Sequence, residues 1–238
     1  MFNPTIARIT LRALFGRRRF LLLIPLPLLL VGIASAFALS GGDPEVWFVP
    51  VVQALGIAVV LPINALVIGT GVLGSEIDDG TLAHILAKPL ARREIILSKL
   101  VVSVGVTTVV TAVPLAIAGL IAGSGALAGA LAVGAFVGSL VYSAFFAWLS
   151  VATRRPVLVG LAYILIWESL LTTILSGTRV LSIYQYVVTV ADRVSGSTLV
   201  ASSVSLSVAL AMIFILTVGF TLLAIDRLKS FAVQGETS

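Results

Sequence analysis

The chain has 238 residues, of which 59% are apolar and 11% charged, with a mean hydropathy of +1.18 and a formal net charge of +5. A soluble domain carries about a quarter charged residues, so this composition excludes an ordinary soluble globule and places the chain among integral membrane proteins. The absence of cysteine excludes a disulfide framework, a thiolate metal site and a cysteine nucleophile. The positive balance follows the apolar segments instead of forming one basic face, so no nucleic acid is expected as a partner.

Residues 2–19 precede the first apolar run. Asn3 and Pro4 supply a cap and a first helical position, Phe2, Ile6, Ile9 and Ala13 share one stripe, and Arg8 and Arg12 lie on another face. The pattern predicts a short amphipathic helix in the lipid headgroup layer.

Six apolar runs follow, at about 20–39, 46–74, 100–122, 125–151, 157–175 and 203–225. Crossing the hydrocarbon core takes about 20 residues of helix, and none of the runs alternates with period two. The expected class is therefore all-α, with six transmembrane helices. Pro25 and Pro27 predict an irregular start to the first run, and Pro62 and Pro114 predict bends in the second and third. Three arginines at 17–19 before an apolar stretch give the first run the outline of a cleavable signal. The remaining chain is itself membrane-embedded and needs no export address, so the run is read as a retained span.

Orientation follows from charge. With the N-terminus inside, the inner segments hold thirteen Lys and Arg and the outer segments only Arg179 and Arg193. That asymmetry places both termini, and the interval 75–99, on the cytoplasmic side of the plasma membrane. Gly125 with Gly129 and Gly134 with Gly138 have the spacing that lets helices approach closely in lipid, and packing within one subunit is expected of them. In the outer interval 177–202, Val180, Ile183, Tyr184, Val187, Ala191 and Val194 keep helical spacing, with Ser182, Gln185, Thr189 and Asp192 on the other face. This predicts a short amphipathic helix lying on, or re-entering, the outer leaflet.

Candidates for chemistry are few. No Gly-x-x-x-x-Gly-Lys-Ser/Thr occurs, so the chain does not bind nucleotide in the P-loop manner. A lone His84 cannot build a metal site. No catalytic, metal-binding or cofactor-binding residue is expected in this chain. Glu168 is the ionisable residue inside a span, and an intramembrane carboxylate is either part of a transport pathway or a hydrogen-bonded structural tie. Asn64 in the second span is a weaker polar candidate of the same kind.

The interval 75–99 holds nine of the 26 Lys, Arg, Asp, Glu and His side chains. Gly80 permits a turn, Thr81 can cap a short helix over 82–87, and Leu82, Ile85 and Leu86 form its apolar face. Pro89 stops that helix, and a second one begins at Ala91 and runs into the third span, with Arg92, Arg93 and Lys99 at headgroup depth. A short amphipathic helix on a cytoplasmic hairpin, with no core of its own, suits docking to a soluble partner.

In these residues the chain resembles a known family. Glu76-x-x-x-Gly80-Thr81-Leu82-x-x-Ile85-Leu86-x-x-Pro89-x-x-Arg92-x-x-Ile95-x-x-x-Lys99 is similar to the Glu…Gly-Thr-Leu…Leu-Leu…Pro…Arg…Lys signature of ABC transporter permeases of the type-2 (ABC-2-like) exporter class. The resemblance implies that the helix at 81–87 is a coupling helix seated on a separate ATPase. It further implies a unit of two permease chains, identical or not, and two ATPase chains, with ATP and magnesium on the ATPase. Two other readings stay open: a proton- or sodium-coupled carrier using Glu168, and a membrane scaffold that recruits a partner without transport.

Overall fold

The computed structural model describes residues 4–15, 21, 23–78, 92–171, 174 and 176–235, and among these residues there is helix and no strand. Helix α1 spans Pro4–Phe15 and α2 spans Pro25–Leu39. A third continuous helical stretch, α3, joins an α segment Pro44–Phe48, a π-wound segment Val49–Val60 and an α segment Leu61–Asp78. Then come α4 (Arg92–Ile121) and α5 (Gly125–Ala152). Helix α6 starts as Pro156–Ala162 and continues π-wound over Tyr163–Leu171. A 3-10 turn at Ser176–Leu181 leads into α7 (Ile183–Ser195), and α8 (Leu206–Gly235) closes the described chain.

Four stretches among the described residues are long and apolar enough to cross a membrane: Pro44–Val72, Arg93–Ile121, Gly125–Ala152 and Leu206–Leu228. The apolar helices Pro25–Leu39 and Pro156–Leu170 are shorter. At about 1.5 Å per residue the first of these rises about 22 Å, less than the hydrocarbon thickness of about 30 Å. The expected run at 20–39 is therefore only partly this helix, because Pro25 opens it as its first residue instead of kinking it.

Helix α5 is the pillar, packing against α3, α4, α6, α7 and α8. It turns back along α4 through a tight link in which Gly123 takes φ of +89° and Ser124 caps α5 by accepting from the Leu127 amide at 3.2 Å. Gly119 on α4 lets the two backbones meet, since a Cβ there would lie 2.7 Å from the Ala128 Cα. This is the hairpin end of the bundle. At the other, stem end, α3 stops at Asp78 and α4 starts at Arg92. Aromatic rings knit the middle: Phe145 of α5 lies 4.5 Å from Tyr163 of α6 and 4.9 Å from Phe220 of α8, centroid to centroid.

The packing adds to one expectation and corrects two. Helix α1 packs on α4 through Ala7 and Thr10, with Ile6 and Leu14 half-buried, while Ile9 and Ala13 of the expected stripe are exposed. Thr10 lies between Ile6 and Leu14 on the helix surface, and the two arginines point away from the packed side. Gly134 and Gly138 do pack inside the chain, but Gly125 and Gly129 face open space. Lys99, expected as a headgroup charge, is 2% exposed and buried between helices.

Candidate functional site

A cluster of buried, hydrogen-bonded polar side chains gathers where α6 meets α7. Ser182 has extended backbone and caps α7, its hydroxyl accepting from the Gln185 amide at 3.4 Å. Helix α7 then runs along α5 towards the hairpin end. A Cβ on Gly138 would lie 2.8 Å from the Val187 Cγ2, and one on Gly134 would lie 3.2 Å from the Val187 carbonyl oxygen. Ile183, Tyr186, Val187, Val188, Thr189, Val190 and Ala191 are all buried. The helix thus packs lengthwise against α5 with one face buried.

Glu168 meets the N-terminal end of this helix. The residue is 6% exposed. Oε1 accepts from the Tyr163 hydroxyl at 2.9 Å, the Ile183 amide at 3.0 Å and the Tyr142 hydroxyl at 3.2 Å, and Oε2 accepts from the Ser182 hydroxyl at 2.5 Å. These donors come from α6 itself, from α5 and from the first turn of α7. A buried carboxylate is costly unless its lone pairs are matched, and here four donors and the partial positive charge of a helix N-terminus meet it.

A second tie of the same kind comes from the π-wound part of α3. Gln53 donates through Nε2 to the Leu199 carbonyl at 3.0 Å and accepts from the Tyr184 hydroxyl at 3.4 Å. Asp192 accepts from both the amide and the hydroxyl of Ser202, at 3.2 and 2.6 Å, and the Tyr186 hydroxyl donates to the Val180 carbonyl. The segment from 176 to 205 is therefore held to the bundle by apolar packing of α7 on α5 and by polar contacts from its two π-wound neighbours.

Asn64 lies elsewhere in α3. It is 1% exposed, donates to the Val60 carbonyl one turn back at 2.9 Å, and leaves its Oδ1 without a partner. The structure does not join it to Glu168. A further polar seam runs between α4 and α5, where the Ser103 hydroxyl donates to Ser143 at 3.1 Å.

At the stem end, Lys99 of α4 donates through Nζ to the Val72 carbonyl of α3 at 2.8 Å. Glu76 is in the last two turns of α3 and Arg92 opens α4, with only their backbones described. Gly80, Thr81, Leu82, Ile85, Leu86 and Pro89, the core of the expected coupling helix, lie outside the described residues.

Sequence reading found Glu168 but not the residues around it. One signal was available: Ser182-Ile-Tyr-Gln185 has the Ser-x-x-Gln spacing of a helix start, which marks where a half-helix could present its amides to a carboxylate. Nothing in the residues of 49–60 or 163–171 marks π winding.

A helical bundle with this many membrane-length apolar helices, built around one central pillar, is an integral membrane protein. Its family follows from comparison. Residues 17–187 match the family model described as ABC-2 family transporter protein, more than half of the chain, and the chain belongs to that family. It is thus an ABC-2-type permease, a transport component of a membrane and not itself catalytic. The resemblance read from residues 76–99 is borne out at that level. Permeases of this family generally work with an ABC ATPase. No curated protein matches the chain.

Proposed function

We propose that the chain is the membrane-spanning subunit of an ATP-driven exporter, coupled to a separate ATPase through the hairpin at 75–99. The observation that carries this reading is the family membership over 17–187, which includes that hairpin. In the proposed arrangement six helices cross the plasma membrane, both termini are cytoplasmic, and two permease chains work with two ATPase chains that hold ATP and magnesium. Leu82, Ile85 and Leu86 supply the apolar face that docks, Gly80 and Pro89 bound the short helix, and Thr81 caps it. Glu76 and Arg92 close the motif on the two stems.

Within this reading Glu168 serves as the tie that fixes the N-terminal end of α7. Its four donors supply what a permanently seated carboxylate needs. A carboxylate that loads and releases a proton would gain from fewer fixed donors, which weighs against the carrier alternative. Asn64, with an unpaired acceptor, is the better candidate for a polar contact along a pathway.

The test is affinity capture of the tagged permease in mild detergent. A P-loop ATPase should co-purify and be lost from Leu82→Asp, with the variant still inserted and monodisperse. Capture of the wild-type permease alone, intact and folded, would overturn the coupling reading.

A further inference from the structure

Lys99 is a large side chain buried at 2% exposure in the interior. The two helices it connects, α3 and α4, are the ones that enter and leave the 79–91 segment. On one side of it lies a cluster of Leu23, Ile68 and Val72 with Val106 and Val110; on the other, Ile96 packs with Ala147, Val151, Ala224 and Leu228. The first cluster joins α3 to α4, and the second joins α4 to α5 and α8. Apolar contact alone leaves the two stems able to shift in register against each other.

Taking an ammonium group out of water is costly, and an apolar side chain of similar length would fill the same space without that cost. What the ammonium supplies is direction. Its bond to the Val72 carbonyl has a fixed partner and a fixed length of 2.8 Å, whereas apolar packing tolerates shifts of register. The carbonyl belongs to the C-terminal half of α3.

We propose that Lys99 is the positioning residue that locks α3 and α4 into one rigid stem, so that displacement of the 79–91 segment moves both helices together. This rests on the coupling reading for what displaces the segment, but the lock itself does not. The link is between described residues and is testable in the permease alone.

Hydrogen exchange at the stem amides, followed by mass spectrometry, separates the two. In the permease alone, Lys99→Met should raise exchange roughly tenfold in the last turns of α3 and first turns of α4, the effect of losing a hydrogen bond made by a charged group. Helix α5 should be unchanged, and Lys99→Arg, which keeps a charged donor, should restore most of the protection. If Lys99→Met does not insert, Lys99→Gln is read in the same way. Unchanged stems, or exchange raised equally throughout the bundle, would overturn the lock. In the complex with its ATPase, trapping the nucleotide should shift exchange in both wild-type stems together but in only one stem of Lys99→Met. Both stems still shifting together in the variant would overturn the proposed role. A wild-type complex in which trapping shifts neither stem would overturn the coupling reading instead, whatever the permease alone had shown.

Discussion

Replacing Glu168 tests the account of how α7 is held most directly. Glu168→Leu removes an acceptor from four donors at once. Three of them, the hydroxyls of Tyr142, Tyr163 and Ser182, can rotate towards other acceptors. The Ile183 amide cannot, because it is fixed in the first turn of α7. Orphaning a buried donor costs about 1–3 kcal/mol, so the amide alone sets a floor, and hydroxyls that stay dry raise the total to about 3 kcal/mol. For a chain of this size each kcal/mol moves the midpoint by about 2–4 °C, which gives a loss of roughly 6–12 °C. Glu168→Gln keeps one acceptor oxygen for the phenols and the amide and turns an NH2 group towards Ser182, a cost of about 1 kcal/mol and a few degrees. Thermal unfolding of the purified permease, followed by tryptophan fluorescence, reads both; Trp167 is the adjacent residue. A Glu168→Leu variant melting with the wild type would refute the reasoning, as would equal damage from the two substitutions. If Glu168→Gln is folded well below its midpoint and still loses substrate-stimulated ATPase activity with its partner, the carboxylate belongs to the transport mechanism.

Glycine positions separate internal packing from open surface. At Gly138 a Cβ would sit 2.5 Å from the Leu61 Cδ2 and 2.8 Å from the Val187 Cγ2, so Gly138→Ala should destabilise by about 1–3 kcal/mol, whereas Gly129→Ala, with nothing within 4 Å, should melt with the wild type or slightly above it. Orientation can be checked against a background with no native cysteine: in intact cells a membrane-impermeant maleimide should label Arg193→Cys and spare Arg154→Cys, both exposed positions, and the reverse pattern would invert the proposed topology.

Much of the helical plan was legible because hydropathy and helix length are coupled in a membrane. Helices α4 and α5 cover the runs at 100–122 and 125–151, and Gly134 and Gly138 were read as internal packing. What hydropathy could not resolve was direction within a helix. Lys99 was counted as a headgroup charge because it stands near the end of an apolar run with Arg92 and Arg93. Charge alone does not show whether a flexible four-carbon stem reaches outward to phosphate or sideways to a carbonyl. Glu168 was found as an anomaly, but its meaning depended on Ser182 and Ile183, fourteen and fifteen residues further on, and on Tyr142 on a different helix. Their convergence is tertiary, and only the cap spacing at Ser182 hinted at it. Helix α7 falls within the interval read as amphipathic, and its place against α5 was not legible there. Its polar face, which suits water, is satisfied in the structure by local bonds such as that from Thr189 to the Gln185 carbonyl.

The π winding explains why two polar side chains from different helices reach the same segment. A π turn closes with i→i+5 hydrogen bonds where an α turn closes with i→i+4, so each such turn takes one more residue and turns those that follow by about 100° relative to an α-helix. Gln53 lies within one π-wound segment and Glu168 within the other, and both face the segment at 176–205. In lipid, helices gain little from burying apolar surface against one another, and small residues and polar contacts decide which faces meet. Helix α7 is too short to be held by spanning the bilayer. Its place depends on the glycine face of α5 for close approach and on Gln53 and Glu168 for fixed contacts. Rewinding either π segment to α would swing its polar side chain away from this arm. The winding therefore acts as a determinant of polar register, and the arm's stability is tied to the conformation of α3 and α6 as much as to its own sequence.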